Sequence, residues 1–199
     1  MALAMSHLKA QEQTDEQLMQ LYAKGDAKAF EMLYLKHKGA LYRYFVRQLA
    51  DKQLAEDLYQ ETWSRVIRAA ANYEPSAKFT TWVYRIAHNL LIDHVRAVKP
   101  VEAVGLDDVE MDALAAEVVD KPDVVWEENQ KSMLLKSCIS LLPHVQKEAF
   151  ILNIEMGFTA LIISDIAGVT LEATKSRIRY AYQSLKNCVD AKWREAGHE

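Results

Sequence analysis

Lys175, Ser176, Arg177 and Arg179 crowd into one short run near the C-terminal end of the chain. Cationic groups at that density do not make or break bonds; they hold anions. An ammonium or guanidinium grips phosphate oxygens, and either pairs with the O6 and N7 acceptors of guanine in a major groove. Lys175 and Arg179 therefore suit guanine edges or phosphates, and Arg177 a phosphate. Basic residues are also common on exposed helices, so the charges alone leave an ordinary helical hairpin with a solvated face open.

The spacing around them narrows the choice. GFTALIISDIAGVTLEATKSRIRYAYQSLK, residues 157–186, forms two helices and a tight turn by its pattern. Thr159 caps a first helix, Ala160 to Ala167, and Gly168 ends it where a left-handed backbone costs Gly least. Val169 is an apolar plug. Thr170 caps a second helix from Leu171, its hydroxyl accepting from an otherwise unpaired amide. Leu171, Thr174, Ile178, Ala181 and Leu185 share one face of that helix, and Glu172, Lys175, Ser176, Arg179 and Gln183 the other. This is helix-turn-helix grammar, in which the second helix enters a major groove.

Catalytic and metal-binding readings find little to stand on. The six histidines show no HExxH-type spacing. His88, Asp93 and His94 share a helix without making a compact ligand set. There is no Gly-rich phosphate loop and no nucleophile–base–acid set. The two cysteines, Cys138 and Cys188, make no metal or disulfide framework. Each is expected to be a small buried apolar residue, in keeping with a reducing cytosol. No enzyme activity, cofactor or metal is expected.

The whole chain sets the frame for these residues. Its 199 residues suit one domain or two small ones, half of them are hydrophobic, and only 6 Gly and 4 Pro interrupt long periodic segments. The expected fold class is all-α. A formal net charge of −4 excludes a uniformly basic nucleic-acid coat, so DNA contact has to come from a local patch. The N-terminus does not read as a signal peptide, and no apolar run is long enough to span a bilayer.

In chain order, residues 1–14 form a loose tail, and Thr14 with Gln17 makes a capping box for a helix over 15–24 that ends at Gly25. A second helix from Asp26 carries Phe30, Leu33, Tyr34, Leu41, Tyr44 and Phe45, with a bend expected at Gly39. Over 51–73, Leu54, Leu58, Thr62, Val66 and Ala69 form an inward stripe. Asp57, Gln60, Glu61 and Arg65 face outward; by periodicity alone they are a solvated face. A Pro-Ser loop, residues 74–78, feeds a helix over 79–100. There Trp82, Val83, Ile86 and Leu90 supply core, and Tyr84, Arg85, His88, Asn89, Asp93 and Arg96 a polar, cationic face. Aromatics beside basic and amide groups suit stacking on unpaired bases. Tyr73 and Phe79, at the loop edges, fit either that role or the core. Residues 100–123 are rich in Asp and Glu and form an unfolded linker. A second domain starts at 124, with one helix near 125–141, another opened by Pro143, and a fraying polar tail from Asp190.

With both halves in view, the chain resembles the extracytoplasmic-function group of bacterial sigma-70-type transcription initiation factors. The N-terminal resemblance rests on AEDLYQETWSRV and FTTWVYRIAHNLLIDHVR at the right separation. The C-terminal one rests on LLPHVQKEAFIL followed by GVTLEATKSRIRYAYQSLK. The resemblance implies two small helical domains, a region 2-like bundle over 15–99 and a region 4-like helix-turn-helix over 124–190. The acidic linker joins them, and residues 191–199 trail as a flexible tail. Asp57, Gln60 and Glu61 resemble the surface that docks on the clamp helices of the polymerase beta-prime subunit, and the second domain implies contact with the beta flap. Tyr73, Lys78, Phe79, Arg85, Asn89 and Arg96 resemble the module that melts and reads the minus-ten element, where a flipped base is captured. Lys175, Ser176, Arg177, Arg179 and Tyr180 match minus-thirty-five reading positions. Core RNA polymerase, promoter DNA and an anti-sigma factor are the implied partners, in the cytoplasm. The alternatives are a stand-alone helix-turn-helix regulator and a helical adaptor that has lost DNA binding.

The match departs at one place. The family usually has Phe-Ser-Leu-Glu-Glu-Ile-Ala in the first helix of the helix-turn-helix. Here the segment is Phe158-Thr159-Ala160-Leu161-Ile162-Ile163-Ser164, with Leu161 and Ile162 at normally acidic, exposed positions. An apolar pair is expected to be covered, against the first domain or a partner, or else by a rotated helix that takes both into its own core.

Overall fold

The computed structural model describes residues 13–98 and 126–195. The expectations for the N-terminal tail up to residue 12, for the acidic linker 100–123 and for residues 196–199 lie outside the described residues. All regular elements among the described residues are helices, in two compact units. None is long and apolar enough to cross a membrane.

The first unit is built from four α-helices, the first three of which start at local side-chain caps. Helix α1 (Asp15–Ala23) begins at the expected capping box: Gln17 N donates to Thr14 Oγ1 at 3.3 Å and Thr14 N to Gln17 Oε1 at 2.9 Å. Helix α2 (Ala27–Gln48) begins where Lys28 N donates to Asp26 Oδ1 at 3.0 Å, and it runs through Gly39 as one helix. Helix α3 (Lys52–Ala69) begins where Gln53 N and Leu54 N donate to Asp51 Oδ1 at 2.8 and 3.2 Å. A short 3-10 turn (Ala70–Asn72) and an exposed loop lead to helix α4 (Phe79–Val98).

Met19, Leu33, Leu41, Tyr44, Phe45, Val66, Phe79 and Leu91 fill the core of this unit. The buried stripe of α3 is displaced from the expected one. Ala55, Tyr59, Thr62, Trp63 and Val66 are buried, whereas Leu54, Leu58 and Ala69 are half-buried. The cause is aromatic area. Trp63 packs edge-on against Phe30 and Tyr34 of α2, with ring centroids 5.8 and 5.1 Å apart, and turns α3 toward α2. Buried Thr62 satisfies its hydroxyl by donating to Leu58 O at 2.8 Å. Tyr84 and His88 of α4, expected on the polar face, are also buried. They occupy the same side as Ala87 and Leu91, and Tyr84 packs edge-on on Tyr44 at 5.5 Å.

The second unit is organised on its last helix. Helices α5 (Trp126–Ser140) and α6 (His144–Ile154) both pack against α8 (Leu171–Glu195), and the short α7 (Ala160–Ala167) precedes it. Pro143 sits at the cap position of α6, just outside its first turn. The expected frayed tail from Asp190 is instead helical to Glu195. Its last turns are tied to α5, where Lys192 Nζ donates to Ser137 Oγ.

The cysteines overturn their sequence reading. Cys138 of α5 and Cys188 of α8 form a disulfide, with Cα atoms 5.9 Å apart across a separation of 50 residues. Cys138 is buried as expected, but as half of a covalent link rather than as a free apolar group. The cysteine content therefore gives no support for a reducing compartment.

Closing a loop of that length restricts the unfolded chain. Cys188→Ser, which leaves deeply buried Cys138 in place, is expected to destabilise the second unit by about 2–4 kcal/mol. Urea unfolding of the oxidised protein with and without reductant checks this; coincident midpoints would show that the link contributes nothing.

Candidate functional site

Helix α8 presents the basic face through a turn built as its residues dictate. Gly168 adopts φ 66° and ψ 32°, the left-handed conformation that ends α7, and its amide donates to Ser164 O. Ile162 N donates to Thr159 Oγ1 at 3.4 Å and Ala173 N to Thr170 Oγ1 at 3.1 Å, so both helices start at the expected hydroxyls. Thr174, Ala181 and Leu185 are buried and seat the helix, with Ile178 half-buried beside them. On the opposite side Glu172, Ser176, Arg179 and Gln183 lie within about 60° of one another around the axis, at 3.6 residues per turn.

Lys175 and Tyr180 flank this face, whereas half-buried Arg177 lies off it, about 100° around the axis from Ser176. Lys175 Nζ pairs with Glu172 Oε1 at 2.9 Å, but the two side chains are 55% and 80% exposed. A pair so open to water is worth about 0–1 kcal/mol, so Glu172 holds the lysine only weakly. The Arg179 guanidinium lies over the Tyr180 ring, 5.1 Å from its centroid, and its Nη2 lies 3.5 Å from the Tyr180 hydroxyl.

In the first unit, α4 carries Arg85, Asn89 and Arg96 exposed along one side, with Asp93 among them. Lys78 is exposed at the end of the loop, and Tyr73 is half-buried at its start. The Tyr73 ring packs edge-on against Trp82 at 4.9 Å and lies 6.5 Å from Phe79. Burial, reinforced by the negative charges of Glu16 and Asp15, pushes the Tyr73 hydroxyl up to about 12, so it stays protonated and able to donate.

Of the two places open to Phe79, the structure gives it the core. It is 0% exposed, packed between the rings of His37, Tyr73 and Trp82, and offers no face to a base in this conformation. Its apolar ring opens α4 toward the core, and it acts as scaffold for the loop before it. The structure also brings in a residue that the sequence reading did not single out. Glu16 of α1 accepts the Phe79 amide at 2.7 Å. The only sequence hint is negative: Lys78, just before the helix, has no acceptor with which to cap it.

Helix α3 turns Asp57 and Gln60 outward, with Glu61 half-buried beside them. Gln53 Nε2 donates to Asp57 Oδ1 at 3.0 Å and Gln60 Nε2 to Glu56 Oε1 at 3.1 Å. Glu61 Oε1 accepts from Arg65 Nε at 3.0 Å and Arg68 Nη2 at 2.7 Å, and these bonds hold its carboxyl below the usual range. All these bonds lie on one exposed helix surface, where exchange for a partner's groups costs little.

At the departure from the family pattern, Leu161 is 59% exposed and Ile162 half-buried, while Ile163, Ser164 and Ile166 are buried. Helix α7 is thus not rotated to take the pair into its core, and Leu161 is not covered.

The comparisons with known proteins agree with this geometry. The family described as Sigma-70 region 2 matches residues 33–100. The RNA polymerase sigma-H factor of Pseudomonas aeruginosa is 28% identical over 190 residues, covering 93% of this chain and 98% of that protein. The sigma factor SigW of Bacillus subtilis is 28% identical over 169 residues, covering 82% and 90%. SigE of Mycolicibacterium smegmatis is 30% identical over 168 residues, covering 83% of this chain and 64% of that longer protein. Among solved structures, CnrH in complex with the cytosolic domain of CnrY aligns with a TM-score of 0.66 at 19% identity, over 90% of this chain and 99% of that one. RpoE of Bartonella quintana, in complex with the anti-sigma factor NepR, aligns at 0.62 and 21%, over 82% and 98%. These structures share the fold, and the relatives match along 82–93% of the chain. Residues 33–100 match sigma-70 region 2, and over most of its length the chain is similar to extracytoplasmic-function sigma factors.

Proposed function

We propose that the protein is a promoter-specificity subunit. It binds core RNA polymerase, reads minus-thirty-five duplex DNA with α8, and melts and holds the minus-ten element with α4 and the loop before it. It lends recognition and strand opening to the polymerase and carries out no bond chemistry itself, working in the cytoplasm. The observation that carries this reading is the pairing, in one chain, of a helix-turn-helix with an exposed Lys175–Arg179 face and a separate helical unit that matches sigma region 2. A stand-alone duplex reader has no use for the second module. Capture of an unpaired base supplies specificity and opening in one binding event. RpoE was solved with a bound anti-sigma factor, and CnrH with the cytosolic domain of CnrY. We extend that form of control to this chain, with exposed Leu161 of α7 as one apolar contact.

Transcription of fragmented genomic DNA with purified core polymerase, followed by sequencing of RNA 5′ ends, tests the reading directly. Initiation should focus on sites that share two spaced upstream elements. A start-site profile identical to that of core polymerase alone would reject it.

Asp57→Ala combined with Gln60→Ala is expected to weaken binding to core polymerase about tenfold, equivalent to about 1.4 kcal/mol, with helical content unchanged. Unaltered affinity in a titration against labelled core would discard the docking face. Lys175→Ala or Arg179→Ala should cost about 1–3 kcal/mol at a minus-thirty-five site if a base edge is contacted. Neither should impair use of a template already melted at minus ten. Equal loss on duplex and pre-melted templates would show that the two readers are not divided in this way.

A further inference from the structure

The loop proposed to read the minus-ten element is held at both ends by α1. At its start, the 3-10 turn Ala70–Asn72 packs against α1. At its end, Phe79 N, in the first turn of α4, donates to Glu16 Oε1 at 2.7 Å. First-turn amides have no partner within their own helix, and a neighbouring side chain ordinarily accepts one of them. Lys78 cannot, because an ammonium is donor-only. The Phe79 amide, the first of the helix, has its acceptor 63 residues earlier in the chain. A carboxylate there also meets the positive end of the α4 dipole.

Glu16 is itself aimed. Its neighbour Asp15 is fixed to α2 from the other side, taking Lys36 Nζ at 2.6 Å and His37 Nε2 at 2.9 Å. His37 closes the arrangement by packing its ring against Phe79 at 5.4 Å. The adjacent pair Asp15–Glu16 thus joins α2 to the start of α4. Between Tyr73 and Phe79 the loop residues 74–78 are exposed, so their course depends on the two fixed ends. Burial and the Asp15 charge oppose ionisation of Glu16. Its bonds from the Phe79 amide, its own amide and Thr14 nonetheless hold its carboxyl below the usual range, as expected of a charged acceptor in use.

We infer that Glu16 is a positioning residue for minus-ten recognition: its carboxylate fixes the first turn of α4, and with it the course of loop 73–78, in the form that receives an unpaired base. It touches no DNA and acts through the Phe79 amide. The inference rests on the assignment of this loop to the minus-ten element.

Two readouts separate this role from general stability and from failure of the sigma reading. The first needs no polymerase. Amide hydrogen exchange at Phe79 should rise at least about tenfold in Glu16→Ala and return toward wild type in Glu16→Gln, whose amide oxygen still accepts. The second uses holoenzyme assembled on core polymerase and a single-stranded oligonucleotide carrying the non-template minus-ten sequence recovered from the genomic transcription assay. Glu16→Ala should bind it about fivefold to tenfold more weakly, Glu16→Gln within about twofold of wild type, and both should bind core equally well. Unchanged exchange at Phe79 overturns the inference whatever the protein does. Raised exchange with wild-type oligonucleotide binding overturns it too, by showing a cap without a recognition role. A fall in core affinity parallel to the fall in oligonucleotide binding would reduce Glu16 to a general stabiliser. If wild-type holoenzyme selects no promoters, the sigma reading fails, and the exchange data then show separately whether Glu16 holds the helix start.

Discussion

Helix-start amides need acceptors, and most of this structure follows from where they find them. In an all-helical chain with few glycines and prolines, helix ends have to be set by specific side chains. Thr14, Asp26, Asp51, Thr159 and Thr170 each supply an oxygen to an amide two or three residues ahead. Those local bonds set where α1, α2, α3, α7 and α8 begin, and so which residues face inward along each. The start of α4 is different, because its acceptor comes from another helix. Where the cap is local, a helix can be set before the unit folds. Where it is foreign, the helix start reports that the unit has folded.

The two units solve the problem of presenting polar faces in different ways. In the first, a network of rings links α1, α2 and α3: Tyr22 meets Phe30, Phe30 and Tyr34 meet Trp63, and Tyr34 and Tyr59 share a hydroxyl contact at 3.1 Å. Large rigid side chains on the inner faces leave the outer faces of α3 and α4 to charged and amide groups. In the second unit, α8 does most of the work. Its buried residues meet α5 and α6, its first turns carry the basic face, and its last turns are tied back through Cys188 and Lys192. Fastening the far end leaves the basic first turns as a plain exposed helix.

Electrostatics on these faces is weak by design of exposure rather than by lack of charge. Lys175 with Glu172, and Glu61 with Arg65 and Arg68, form pairs open to water. Such pairs contribute little to folding and exchange readily for phosphates or a protein partner. The Asp15 contacts with Lys36 and His37 are different in kind. Asp15 and His37 are each only about a tenth exposed, and burial pushes His37 below its ordinary value against the pull of Asp15. These contacts orient an element, whereas the exposed pairs merely hold side chains until something better arrives.

What the sequence determined by itself was local or periodic. The capping box at Thr14, the Thr159–Gly168–Thr170 turn and the outward set Asp57, Gln60, Arg85, Asn89, Lys175 and Arg179 depend on neighbours within one or two helical turns, so a linear reading captures them. Tertiary structure decided the rest. Trp63 and Tyr59 turned α3 away from its leucines, because ring area outweighs a tidy aliphatic stripe and its partners lie on α2. Tyr84, His88 and Phe79 went inward with the side of α4 that packs against α3 and α1, and periodicity cannot say which flank of an amphipathic helix meets more neighbours. Cys138 and Cys188 are 50 residues apart and meet only because α5 lies along α8. Glu16 reached Phe79 for the same reason. A contact across tens of residues leaves no mark in local spacing, since the chain between can take any course until the cores on either side are packed.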